Sequence, residues 1–322
     1  MHETFWVPSI GLMSDFLTPL PSALSAGFRL GRAALAALCA LGLSQASPAS
    51  ADEPPALHSA EQPSLHPAAQ TPPPLCPAMP LAPHKFAAGE RLTFGVDAYG
   101  ADIGTLEVWL ESPPREERPR VELIAHARAK ASLFVNTNLG NYATLATSRI
   151  GPGLAPLFAH EEVEDNGVRW LHEFALPAAQ GKLAVRASKD GEPQQLELPA
   201  TPSARDLLST FFAIRASVLT PGTLLCFEVY AGRHLWKMTG AVGPHEVLDT
   251  PLGKLNTVRL ELSSQRLDDP RVTRSAKFWI SDDARRLPVA AVAEFRGKVL
   301  RAQLQSASGR GWTLGPRASV IR

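Results

Sequence analysis

From Phe86 to about Ser308 the chain alternates apolar and polar residues with a period of two. Successive side chains of an extended backbone point to opposite sides, so this period means strands with one dry and one wet face. In the stretch Leu92-Thr93-Phe94-Gly95-Val96-Asp97-Ala98 the residues Leu92, Phe94, Val96 and Ala98 share a face. Gly100 to Gly104 reads as a turn, and Thr105 to Leu110 returns to make a hairpin. In Val121–Ala131, Leu123, Ala125, Ala127 and Ala129 point one way, while Glu122, His126, Arg128 and Lys130 point the other. Further strands are expected at 142–150, 157–164, 168–176, 183–187, 194–198, 223–230, 234–239, 254–265, 274–280, 289–295 and 299–305. Asp165-Asn166-Gly167, Ala231-Gly232-Arg233 and Arg296-Gly297-Lys298 supply tight turns.

One segment departs from this period. Ser203-Ala204-Arg205-Asp206 reads as a capping box, followed by Leu207, Phe211, Ile214 and Val218 at helical spacing, with Leu208 and Phe212 widening the stripe. Pro221-Gly222 ends it. The expected fold is mainly β. A large curved antiparallel sheet, or a two-sheet open barrel or sandwich, packs around one central amphipathic helix at about 203–219. So many short strands exceed what one flat sheet holds.

The segments before the domain have other characters. Arg29 and Arg32 precede an apolar run, Ala33 to Leu43, and Ala49-Ser50-Ala51 then fits an A-x-A cleavage site. The run has the length of a signal-peptide core and is too short to span a bilayer. Residues 1–51 are therefore expected to be a signal peptide, with Met13 as an alternative start. No transmembrane segment is expected in the mature chain, and the location expected is the periplasm or cell envelope. Ten of the 33 residues from 52 to 84 are Pro, so this stretch reads as an extended linker. One β-rich domain then covers 85–308, followed by a tail at 309–322. Cys76 and Cys226 could pair in an oxidising compartment. The favoured reading leaves Cys76 free and Cys226 as a small buried hydrophobe, because linker residues rarely have fixed geometry.

A formal net charge of +1 argues against nucleic acid as a partner. The phosphate-loop, serine-elbow, H-E-x-x-H and paired C-x-x-C patterns are missing, so no catalytic residue, cofactor or metal is assigned. The densest donor cluster, His160-Glu161-Glu162-Val163-Glu164-Asp165, reads as a solvated strand and turn. His172 and Glu173 are adjacent on a strand and should face opposite ways. Asp282-Asp283 reads as a strand-exit turn, since Asp bonds nearby backbone N–H groups.

Several segments together carry a resemblance. They are Gly89-Glu90-Arg91-Leu92-Thr93-Phe94 with Gly104, the run Asp206 to Arg215, Pro251-Leu252-Gly253-Lys254-Leu255, and Phe278-Trp279-Ile280-Ser281-Asp282-Asp283-Ala284-Arg285-Arg286-Leu287-Pro288-Val289. Over about 85 to 305 the chain resembles the bacterial exported family called domain of unknown function 3108. The resemblance implies an exported, β-rich, envelope-associated protein and transfers no catalytic residue.

The function expected is a non-enzymatic binding module for a lipid or other envelope amphiphile, held on a concave apolar surface. Phe211, Phe212 and Trp279 are its candidate apolar contacts, and His126 and Arg128 its candidate head-group contacts. The alternatives are a scaffolding partner in envelope assembly and a carboxylate-dependent hydrolase of envelope polymers. The hydrolase would use Asp282, Asp283 or the acids at 160–165.

Overall fold

A computed structural model describes residues 76–77, 79–83, 86–132, 142–178, 181–231, 233–295 and 298–316. The expected signal peptide, Met13 and most of the proline-rich segment lie outside the described residues. So do Gly232 and Gly297 of two expected turns.

The first half is a meander of eight antiparallel strands: β1 (Arg91–Ala98), β2 (Ala101–Glu111), β3 (Leu123–Ala131), β4 (Tyr142–Ile150), β5 (Pro156–Asp165), β6 (Val168–Ala175), β7 (Lys182–Lys189) and β8 (Glu192–Pro199). A two-residue strand β9 (Arg205–Asp206) and the helix α1 (Leu207–Ala216) then cross over. A second meander follows: β10 (Leu224–Ala231), β11 (His234–Thr250), β12 (Gly253–Arg266), β13 (Thr273–Ser281), β14 (Pro288–Phe295) and β15 (Lys298–Gly309), with β16 (Trp312–Leu314) folding back on β15. The two meanders join where β1 pairs with β15, so all strands form one sheet. Its order is β8-β7-β6-β5-β4-β3-β2-β1-β15-β14-β13-β12-β11-β10-β9.

The sheet curls until its two ends meet. Phe174 of β6 packs edge-on against Tyr230 of β10, with ring centroids 4.4 Å apart. Arg233, after β10, donates to Gln194 of β8 at 3.2 Å. Thr201, just past β8, donates through its backbone N–H and its hydroxyl to Glu228 of β10. Side chains therefore close the seam without a strand ladder, which gives an open, barrel-like form of the mainly β fold.

Inward-facing alanines make room for the crossover. Ala125, Ala127 and Ala129 on β3, with Ala146 on β4 and Ala159 on β5, keep that wall of the curl shallow. The helix α1 packs against β3, β4 and β10. It is shorter than expected, and it is not amphipathic: all residues from Leu208 to Ala216 are buried. Its cap also differs. Asp206, not Ser203, is the N-cap, accepting from the N–H groups of Leu208 and Ser209, both at 2.9 Å. The reason is that Arg205 and Asp206 pair in parallel with Val229 and Tyr230, which holds them extended. The polar residues buried on α1 bond locally: the Ser209 and Thr210 hydroxyls donate to the Asp206 carbonyl.

Other differences have local causes. The β1–β2 turn is Tyr99-Gly100 alone, because a bulge at Val96/Asp97 restores the register. Gly104 sits inside β2 with φ 156°, where a Cβ would lie 2.2 Å from the Lys130 carbonyl oxygen. β11 runs on to Thr250 through Gly243-Pro244, since a bulge between Val242 and His245 absorbs the interruption. Cys76 and Cys226 form a disulfide, which corrects the free-cysteine reading. The proline-rich segment is held at this point: Met79 sulfur accepts from the Cys226 N–H, and Leu81 bridges Ser217.

Candidate functional site

Three of the segments behind the family resemblance meet at one buried guanidinium. Arg215 of α1 donates to both carboxylate oxygens of Glu90, at 2.6 and 3.1 Å. It also donates to the carbonyls of Arg285 and Arg286, at 3.1 and 2.9 Å. The rings of Phe86, Phe211 and Phe212 surround it. Asp283 shapes the turn that presents those carbonyls, accepting from the Ser281 hydroxyl and the Arg285 backbone N–H. Asp282 is half-exposed and meets His245 at 2.9 Å. Of the two aspartates expected in this turn, Asp283 bonds within it and Asp282 reaches out to His245.

Two other places gather chemistry. The first is on the outer face of β1, β2 and β3. Trp109 is the direct cross-strand partner of Arg91 and of His126. The imidazole of His126 stacks on the indole at 4.9 Å and 14°. The guanidinium carbons of Arg91 and Arg128 lie 5.3 and 5.5 Å from the Trp109 ring centroid. Such pairs are favourable because the ring face is negative. Glu111 accepts from Trp109 Nε1 at 2.9 Å and lies 3.4 Å from His126 Nε2. Burial lowers the His126 pKa, against a raising effect of Glu111. Arg91 approaches Glu107 at 3.8 Å, whereas Arg128 has no carboxylate partner among the described residues.

The second place is internal. A cavity of about 40 Å³ lies between the alanine wall and the start of α1. Glu161, Asp206 and Tyr230 bring polar side chains to a lining that is otherwise mostly apolar. Asp206 is well supported, since Ser148 also donates to its carboxylate at 2.9 Å. Burial nevertheless raises its pKa. The closest charged-type contact of Glu161 is His172 Nδ1, at 3.9 Å across the β5–β6 ladder. Burial, and secondly the Asp206 charge, push the Glu161 carboxyl up to about 7. Burial, with Arg233 nearby, pushes the His172 imidazole down to about 4. Burial and Glu161 raise the Tyr230 hydroxyl. The volume suits about two or three water molecules, not a sugar ring.

The expected site residues are scattered. Phe211 and Phe212 are buried, 5.2 Å apart edge to face, inside the core. Trp279 is on the outer face, where its Nε1 donates to Glu246. His126 and Arg128 do come together, around Trp109. The acidic run at 160–165 divides by strand parity. His160 and Glu162 are partly exposed and join Glu173 and Arg169 in an ionic network, while Glu161 and Asp165 are buried. The reading missed Trp109 and Arg91, because the bulge at Val96/Asp97 shifts their register by one residue from what a two-residue turn would set. It also missed that Glu161 and Asp206, from distant segments, line one cavity, which no spacing encodes.

Among the described residues no group of three or more His, Cys, Asp or Glu is placed to hold a metal ion. No helix among them is long and apolar enough to cross a membrane.

The curled sheet, the buried crossover helix and the arginine clasp define the class: a barrel-like, helix-filled antiparallel β protein. The chain belongs to the protein family of unknown function DUF3108, whose model matches residues 91–298. No curated protein matches it. It is similar to a solved β-barrel-like protein of the DUF1849 domain from Brucella abortus, at 10% identity and TM-score 0.49, covering 69% of this chain and 98% of that one. A protein from Bacteroides fragilis described as exported, with a YmcC-like fold, matches at 10% identity and TM-score 0.30, covering 72% and 100%. A protein from Parabacteroides distasonis described as a lipoprotein matches at 10% and 0.30, covering 69% and 96%.

Proposed function

We propose that this is an exported, non-catalytic envelope protein that binds the anionic head groups of a membrane amphiphile on its outer face. The observation that carries the reading is the cluster of two guanidiniums and one imidazole on the single indole of Trp109. Arg128, exposed and without a salt bridge among the described residues, supplies the charge most open to a head group. The reading places the amphiphile outside because α1, buried from Leu208 to Ala216, occupies the concave side of the sheet. A basic side chain near an anionic membrane surface contributes about 1 kcal/mol. R128E should therefore weaken binding by about tenfold or more.

The test is flotation of the purified protein with phosphatidylglycerol vesicles and with phosphatidylcholine vesicles. Binding to the anionic vesicles only, lost in R91E/R128E and weakened by salt, is the expected result. Equal binding to both vesicles, or none to either, rejects it.

A further inference from the structure

The strongest feature outside the Trp109 face is the small cavity at the start of α1, and its use does not depend on what that face binds. Asp206 has three roles there. It caps the helix through the N–H groups of Leu208 and Ser209, it ties the helix to β4 through the Ser148 hydroxyl, and its carboxylate looks onto the cavity that Glu161 enters from β5. We propose that the Glu161–Asp206 pair is a proton-operated latch. With a proton on the pair, the first turn of α1 seats against the alanine wall; loss of that proton loosens it.

The surroundings assign the proton. Three hydrogen-bond donors converge on the Asp206 carboxylate, which favours its charged form. The Glu161 carboxyl makes its shortest ionisable contact with His172, at 3.9 Å, and that imidazole is neutral at ordinary pH. Glu161 therefore carries the proton, in keeping with its rise to about 7. Among the groups facing the pair, the Arg205 charge on β9 acts on Asp206, so it does not match a second charge on Glu161. On β6 His172 is uncharged, and on β10 Tyr230 is held protonated. Arg205 on β9 is engaged by the Leu154 carbonyl at 2.6 Å. Arg233 beyond β10 is engaged by Gln194, and Glu228 on β10 by Thr201. On β5 His160 lies between Glu162 and Glu173. On β4 the Ser148 hydroxyl faces the pair, while the Thr147 hydroxyl meets His126 Nδ1 on the outer face at 3.1 Å.

When the proton leaves, two carboxylates share a small, mostly apolar cavity, and a like charge in a poorly solvated site is strongly disfavoured. The movable member is the first turn of α1 beyond Asp206, because Glu161 is fixed in the ladder between β4 and β6 and Asp206 in its bridge with Tyr230.

Hydrogen exchange of the intact protein, followed at the amides of residues 208–212 and corrected for the intrinsic pH effect, reads the latch directly. Wild-type protection should fall by about tenfold or more between about pH 5.5 and 8.5, the factor that one unit of pKa difference sets. E161Q, which keeps the shape of the protonated acid, should stay flat. A flat wild-type profile, or an equal fall in E161Q, overturns the proposal. If E161Q does not fold, D206N serves instead. Asn still caps a helix, and without the second carboxylate the fall in D206N should be smaller than in wild type; a fall as large as in wild type rejects the latch.

Discussion

Arg215 and Glu90, 125 residues apart, form a two-point ion pair inside the protein, at 2.6 and 3.1 Å. The side chains are 1% and 11% exposed, so neither charge has water as a substitute partner. Removing one member of such a pair leaves the other unpaired and costs about 3–5 kcal/mol. R215A should therefore lower the unfolding free energy by that much and bring down the urea midpoint accordingly. R215K should recover only part of it, because an ammonium cannot bond two carboxylate oxygens and two carbonyls in one plane. Denaturant unfolding of both variants checks this. Equal stability of R215A and wild type would refute the clasp.

The disulfide should matter as much. It closes a loop across 150 residues of sequence, for which chain entropy gives an upper contribution of about 5 kcal/mol. C226S should lose about 2–4 kcal/mol, and reduced wild type should match it. Labelling of thiols under native, non-reducing conditions should find neither Cys76 nor Cys226.

Two buried groups give opposing pH dependences. Glu161 titrates near 7 when folded and near 4.5 when unfolded, so its contribution is complete below 4.5 and is lost as pH rises through 7. His172 titrates near 4 folded and 6.5 unfolded, so its contribution is complete above 6.5 and is lost as pH falls through 4. Wild-type stability should then fall on both sides of the middle range. E161Q should abolish only the alkaline loss, and H172N only the acidic one. Urea midpoints at a series of pH values separate them.

Phe212 is fully buried, with Phe86 and Phe211 edge-on at 5.0 and 5.2 Å. F212A should cost about 3–5 kcal/mol, as deletion of a buried aromatic ring does. A146L, which intrudes on the cavity, should cost about 1–3 kcal/mol by overpacking the wall. Thermal unfolding of each variant measures both.

Much of the fold was legible because strand parity is local. Leu92, Phe94 and Val96 had to face one way, and β3 to β6 fall within a residue or two of their expected limits. The helix was found, but its start was displaced. Asp206 is drawn into a bridge with Tyr230, and no local pattern reveals that pairing. Its expected solvent-facing side was absent because Arg215 is matched by Glu90 from the far end of the domain. The sites divide in the same way. His126 and Arg128 were placed correctly on the wet side of β3. Trp109 between them, and Glu161 opposite Asp206, depend on register and on the crossover. Cys76 was misjudged because its proline-rich neighbours suggested a free segment, while Met79 and Leu81 hold that segment to the domain.

The central claim is that an amphiphile binds outside the curl, on Trp109 and its cations, while α1 fills the inside. Native mass spectrometry of the protein loaded with short-chain phosphatidylglycerol, comparing wild type with W109A/R91E/R128E, tests it most directly. Outer-face binding predicts a bound adduct in wild type that is absent from the triple variant. An adduct retained at full occupancy in the triple variant would contradict it and place the chain in the interior.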